Sequence, residues 1–267
     1  MASGKFTLNR LLVLAAVGFG VFFWLSEEAP SPVAPPAPAI TAGSSVPDQP
    51  GYALNPRNSW PPRAGEAGTG LAPDRFALNY FVVLDGSGSM SETECSEGKR
   101  KIEVARTALA SFADSVPDQA NLGLAVFDGR GLSERLALGA GNRDAFRQAV
   151  AAVKVNASTP LRSAMELAYD RLLEQGRRQL GYGEYHLVVV TDGHASKGED
   201  PTPAVNRILA ESPVVVHTIG FCIGERHSLN QPGRTYYRSA NNPEALRQGL
   251  ETELAEAPDF SVTQFSD

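Results

Sequence analysis

Cysteine is scarce in this chain: Cys95 and Cys222 are the only two in 267 residues. They can form one disulfide at most, with no ambiguity of pairing, and an extracytoplasmic location would favour it; two isolated thiols are the alternative. Positive charge is not in excess either. The 24 Lys and Arg are outnumbered by 30 Asp and Glu, which leaves −6 at pH 7. No basic stripe offsets that balance, so a nucleic-acid partner is excluded. Internal repeats are absent. What is present is an ordinary hydrophobic content of 42%, enough for a sizeable core.

The amino-terminal end reads as a membrane anchor. Lys5 and Arg10 precede an uncharged apolar run over residues 11–25, and Glu27 and Glu28 follow it. Positive charge before the run and none after it places the amino terminus in the cytoplasm and the rest across the membrane. The run has 15 residues, short of the roughly 20 that span a bilayer. That shortness also suits a cleaved signal peptide and a secreted product. No small-x-small cleavage site follows closely, which favours an uncleaved anchor over residues 1–28.

Residues 29–75 have a different composition. Of the 19 prolines, 11 fall between Pro30 and Pro73. Such a stretch buries too little apolar area to fold alone and reads as an extended linker. Tyr52, Leu54 and Trp60 interrupt it and are the candidates for a bound segment.

After residue 75, four short apolar runs, at 80–84, 122–127, 186–191 and 214–219, read as strands. Residues 134–138 and 234–237 read as edge strands, the first antiparallel because a hairpin-type turn, Asp128-Gly-Arg-Gly131, leads into it. Helical spacing lies between them. It is carried by Ile102, Ala105, Leu109 and Phe112, and by Phe146, Ala149, Val150 and Val153 after Asn142 as N-cap. It recurs in Leu161, Met165, Ala168 and Leu172 up to Gly176, around Ile208, and from Pro243 with Asn242 as cap. Strands alternating with helices predict an α/β fold, with crossovers around a mainly parallel, doubly wound sheet. The folded domain is expected over 76–256, with a short tail at 257–267 in which Phe260, Val262 and Phe265 pack back in part.

Chemistry concentrates where strands end. Residues 80–84 run into Asp85-Gly-Ser87-Gly-Ser89, in which Gly86 and Gly88 ease a tight turn. Val188-Val-Val-Thr191-Asp192-Gly193 is a second strand ending in a carboxylate, and Thr159 offers a hydroxyl just before a helix. Open α/β sheets bind ligands at the carboxyl ends of their strands. The donors are oxygens only, with no thiol or imidazole, which suits hard cations. Other loop chemistries fit poorly. An EF-hand needs Glu where Ser96 stands, a dinucleotide fingerprint lacks its third glycine, and neither serine lies in Gly-x-Ser-x-Gly. His217 reads as a strand residue, His194 as an exposed loop residue, and Glu92 and Glu94 as solvated loop charges.

Asp85, Ser87, Ser89, Thr159 and the Thr191-Asp192-Gly193 triplet, in that order, resemble the von Willebrand factor type A domain, across roughly residues 76–256. The resemblance implies a six-stranded Rossmann-like sheet flanked by helices and a metal-ion-dependent adhesion site. In that site Ser87, Ser89 and Thr159 would coordinate Mg²⁺ (or Mn²⁺ or Ca²⁺), with Asp85 and Asp192 bound directly or through water. A protein partner would then supply an Asp or Glu carboxylate. The expectation is a non-enzymatic, membrane-tethered binding module facing the extracytoplasmic side, the periplasm in a Gram-negative cell. A metal-dependent hydrolase or phosphatase on the same sheet, or an accessory subunit of an envelope assembly, are the alternatives.

Overall fold

The computed structural model describes residues 60–62, 70–156 and 158–255. The apolar run at 11–25, most of the proline-rich stretch and the tail with Phe260, Val262 and Phe265 lie outside them. Among the described residues no helix is long and apolar enough to cross a membrane.

Among the described residues six strands and five helices follow one another. They are β1 (Leu78–Asp85), α1 (Lys101–Ser115), β2 (Asn121–Asp128), β3 (Gly131–Gly139), α2 (Arg143–Ala151) and α3 (Leu161–Arg178). There follow β4 (Glu184–Thr191), α4 (Thr202–Glu211), β5 (Val215–Phe221), β6 (Tyr236–Ala240) and α5 (Pro243–Ala255). The strands form one sheet in the order β3-β2-β1-β4-β5-β6, parallel except for β3. The antiparallel edge at 134–138 is therefore found, longer than expected. The last strand begins at Tyr236, not Arg234. Strand order reverses at β1, which has β2 on one side and β4 on the other.

Alternation along β1 divides the core. Tyr80, Val82 and Leu84 pack with residues of α1, α2 and α5 such as Phe112, Phe146 and Leu246. Phe81 and Val83 pack on the other face with Met165 and Leu172 of α3 and Ile208 of α4. A strand covered on both faces has to be apolar throughout, which is why residues 80–84 show no polar alternation. Phe81 lies over Gly123 on β2, where a Cβ would come within 2.6 Å of its ring. Across the first face, Tyr80, His186, His217 and Tyr236 stack in a row, with centroid spacings of 4.7, 5.3 and 5.1 Å. Burial, with a smaller effect of His217, pushes His186 down to about 3, so it stays neutral in this core. Asn142 precedes α2 as expected but does not cap it with its side chain. Its amide donates instead to Leu122 O (2.8 Å) and Ala137 O (3.3 Å), tying the helix start to the sheet.

Trp60 packs against this unit. Its ring lies 6.1 Å from that of Tyr169 on α3 and 5.4 Å from that of Tyr185 on β4. Gly176 makes room for the indole, since a Cβ there would meet Trp60 Cζ2 at 2.7 Å. Tyr185 is near the start of β4, so Trp60 sits at the end of the sheet opposite Asp85 and Thr191. Trp60→Ala is expected to cost about 2 kcal/mol in urea unfolding of the full chain, less than a fully buried Trp because the ring is half-exposed. A midpoint equal to wild type would show that the contact contributes nothing.

Candidate metal centre

β1 delivers Asp85 to the carboxyl edge of the sheet, fully buried. Asp85 Oδ1 accepts the Ser87 N–H at 2.7 Å, and Oδ2 accepts the Thr191 hydroxyl at 2.6 Å. The exit from the strand is crowded. A Cβ on Gly86 would lie 2.8 Å from both Asp128 Cβ and Phe127 O and 2.9 Å from Val153 Cγ1. The Gly86 N–H also donates to Phe127 O at 2.9 Å. Neither Gly86 nor Gly88 has a positive φ. Gly86 is thus needed for space and not for an unusual dihedral, which corrects the turn-based expectation. Past Gly86 the chain makes one 3₁₀ turn, Gly88–Ser91, pinned by the fully buried Met90.

That turn points two hydroxyls inward. Ser87 Oγ and Ser89 Oγ are 3.0 Å apart, and Ser89 donates to Asp192 Oδ1 at 2.8 Å. Asp192 is there because β1 and β4 are parallel neighbours: Leu84 pairs with Val190, so both strands end together. Thr159 is held in the loop before α3 by a reciprocal pair of bonds. Its N–H donates to Ser196 Oγ (2.9 Å), and the Ser196 N–H donates to its carbonyl (3.0 Å). Thr159 Oγ1 and Ser89 Oγ both face Gly193, lying 3.9 and 3.7 Å from where its Cβ would be. Hydrogen bonds thus link Asp85, Ser87, Ser89 and Asp192, residues up to 107 positions apart in sequence, and Thr159 approaches beside Ser89 at Gly193.

The charges are unevenly matched. Burial pushes the Asp85 carboxyl up to about 6, against the pull of hydrogen bonds from Ser87 and Thr191, and nearby Asp192 adds to the rise. Asp85 takes part in none of the ion pairs among the described residues. Asp128, at the same end of the neighbouring strand β2, is the contrast. It pairs with Arg130 (3.1 Å) and Arg135 (2.8 Å) and accepts the Lys154 N–H (2.9 Å). Burial would raise it, but these partners outweigh burial and hold it below the usual carboxylate range. Asp192 has its own cation. Lys101 Nζ, at the first position of α1, lies 3.0 Å from Asp192 Oδ2 and 3.1 Å from Glu92 Oε2. Burial would lower the Lys101 ammonium; hydrogen bonds and charge from Asp192 and Glu92 more than offset it, and the net shift is upward.

Sequence reading missed Lys101 and Ser196 as parts of this centre, and it placed Thr191 in the motif without foreseeing its hydrogen bond to Asp85. Lys101 did leave a signal, because a cation in the first turn of a helix opposes the macrodipole and calls for a reason. Glu92, read as a solvated charge, is half-exposed but reaches Lys101. His194 is exposed as expected and stacks on His227 at 5.3 Å. His217 lies inside β5, its Nε2 3.1 Å from His186 Nδ1. Cys95 and Cys222 are free thiols close to one another. Cys222 donates to Glu94 O at 3.2 Å, and burial together with its contact with Cys95 pushes its thiol up to about 12.

Among the described residues no three His, Cys, Asp or Glu side chains gather as ligands for a metal ion. A cation here would depend on hydroxyls as much as on carboxylates. The five residues fit a small hard cation on that count: all donors are oxygens, and one buried carboxylate has no ion-pair partner among the described residues. Ser89 gives its proton to Asp192, so Ser87 is the donor in the Ser87–Ser89 contact and one Ser89 lone pair is left to face a cation.

The model of the von Willebrand factor type A domain matches residues 80–266. The protein YwmD of Bacillus subtilis (strain 168), itself uncharacterized, is 28% identical over 199 residues, 66% of this chain and 84% of its own. Among solved structures, the pilus adhesin SpaC of Lactobacillus rhamnosus GG superposes with a TM-score of 0.52 at 14% identity, over 70% of this chain and 31% of the adhesin. The von Willebrand factor type A protein of Catenulispora acidiphila gives 0.53 at 17% identity, over 67% of this chain and 42% of its own. This chain therefore spans less than half the length of either structure. At such identities the two structures speak for the fold alone.

Proposed function

The chain belongs to the von Willebrand factor type A domain family, and from that premise we propose that it is a non-enzymatic binding module. In this reading a divalent cation held by Asp85, Ser87, Ser89, Thr159 and Asp192 captures a carboxylate of a protein partner. One observation carries it: Asp85 is a fully buried carboxylate outside every ion pair described, facing hydroxyls, while Asp128 on the adjacent strand is neutralised by two arginines. Burying an unpaired charge is costly, so a cation beside Asp85 would relieve a penalty that no ion pair among the described residues relieves. Mg²⁺, Mn²⁺ or Ca²⁺ would supply that charge together with an open coordination position for an Asp or Glu oxygen. The protein's part is to fix the donors. Thr191 orients Asp85, Ser89 is oriented by Asp192, and Ser196 holds the Thr159 loop.

We read the module as extracytoplasmic and tethered to a membrane by residues 11–25, with the proline-rich stretch as spacer. The position of Trp60 supports this arrangement, since the chain reaches the domain at the end opposite the proposed centre. The test uses the full chain in detergent. One equivalent of Mn²⁺ should bind by calorimetry, and the double variant Asp85→Ala/Ser87→Ala should bind none. Partner capture from solubilised membranes should need Mg²⁺ and fail in EDTA; capture unaffected by EDTA would sink the proposal.

A further inference from the structure

We propose that Lys101 sets the charge of this centre, weakening its hold on the cation and strengthening the cation's hold on an anionic partner group. The inference rests on the metal reading above and concerns how that site is regulated. Three observations converge on the residue. Lys101 is 3% exposed, an unusual place for an ammonium. It lies in the first turn of α1, beside Arg100, where the helix dipole disfavours cations. Its Nζ is 3.0 Å from Asp192 Oδ2, while the other oxygen of the same carboxylate accepts the Ser89 hydroxyl. One carboxylate therefore separates the ammonium from a donor of the proposed cation.

The charge balance follows. Asp85 and Asp192 together would cancel a divalent ion and leave little attraction for a further anion. Lys101 answers Asp192, so the loaded centre retains one net positive charge. Glu92 offsets this only in part, because its side chain is 55% exposed and screened by water. Repulsion between Lys101 and the cation lowers metal affinity. The same residual charge favours a partner carboxylate over water at the open position. A site built in this way binds its metal loosely and its metal and partner together more tightly.

The experiment compares full-length wild type, Lys101→Met and Glu92→Gln by Mn²⁺ calorimetry, then by acetate titration of the Mn²⁺-loaded proteins followed through water-proton relaxation. Methionine keeps the length of the side chain without its charge. Lys101→Met should bind Mn²⁺ on the order of tenfold more tightly, and its loaded form should bind acetate several-fold more weakly. Glu92→Gln exposes the cation to the full charge of Lys101 and should bind Mn²⁺ about twofold more weakly. Mn²⁺ binding by a folded Lys101→Met that is unchanged or weaker overturns the role of Lys101. If Lys101→Met does not fold, Glu92→Gln decides, and unchanged or tighter Mn²⁺ binding there overturns it. A wild type that binds no Mn²⁺ overturns the metal reading and this inference together.

Discussion

Asp85→Asn should make the metal-free protein more stable at pH 7 and at the same time remove its affinity for Mn²⁺. The two effects have one cause. In the folded chain the Asp85 carboxyl is pushed up to about 6 from an ordinary 3.8, chiefly by burial. A raised folded value means that the folded state holds its proton more readily than the unfolded state does. As pH climbs from about 4 to about 6, the unfolded chain ionises first, and folding loses stability through that window. Above it the loss is complete. A shift of about two units corresponds to roughly 3 kcal/mol at about 1.4 kcal/mol per unit. Asparagine carries no charge and avoids it.

The hydrogen bonds can be rearranged for the amide. Its oxygen would still accept the Ser87 N–H, and its NH₂ group would donate to Thr191 Oγ1. The Thr191 proton then turns to Gly193 O, already 3.2 Å away. A gain of about 1–3 kcal/mol is expected from urea unfolding in EDTA at pH 7, shrinking to near zero below about pH 4. Calorimetry should show Mn²⁺ affinity reduced by on the order of a hundredfold, since a buried carboxylate has been replaced by a neutral donor. A variant no more stable than wild type in EDTA would mean that Asp85 carries no buried-charge penalty.

The second large effect is expected at Gly86. An added methyl would meet Phe127 O, Asp128 Cβ and Val153 Cγ1, all within 2.9 Å. None can yield cheaply. Phe127 O is backbone of a central strand. Asp128 is held by Arg130 and Arg135, and Val153 is 3% exposed in the core. The strand end itself must shift, taking the Ser87 N–H away from Asp85 Oδ1. Gly86→Ala should lose about 2–3 kcal/mol, at the upper end for overpacking by one methyl, and most of its Mn²⁺ binding. Gly88→Ala is the control. Nothing lies within 4 Å of its Cβ position, so it should stay within about 0.5 kcal/mol of wild type. Equal losses at the two glycines would show that the turn, and not the crowding, is what they provide.

Much of the fold was legible in the chain because its cause is local. A strand covered on both faces must be apolar along its buried centre, and residues 80–84 and 187–190 could hardly be read otherwise. Helix periodicity placed all five helices, with α3 running two residues past Gly176. The edge strand β6 was misplaced by two residues at its start, since an edge with one partner carries a weaker pattern. The side-chain oxygens at 85, 87, 89, 159 and 192 were also readable, because oxygen chemistry belongs to the residue and not to the fold.

Neighbourhood was not readable, and neighbourhood gives the centre its charge. Gly86 and Gly88 look equivalent in Asp85-Gly-Ser87-Gly-Ser89, yet only one abuts the end of β2. Asp85 and Asp128 each close a strand and Asp192 directly follows one, yet Asp128 meets two arginines, Asp192 meets Lys101, and Asp85 joins no ion pair among the described residues. Trp60 sits in a stretch whose composition argues against folding, and a gap at Gly176 receives it. The sequence determined which segments are strands and which oxygens are available. The tertiary structure alone decided which carboxylate is buried without a counter-charge, because burial and pairing depend on residues that meet only when β1 and β4 lie side by side.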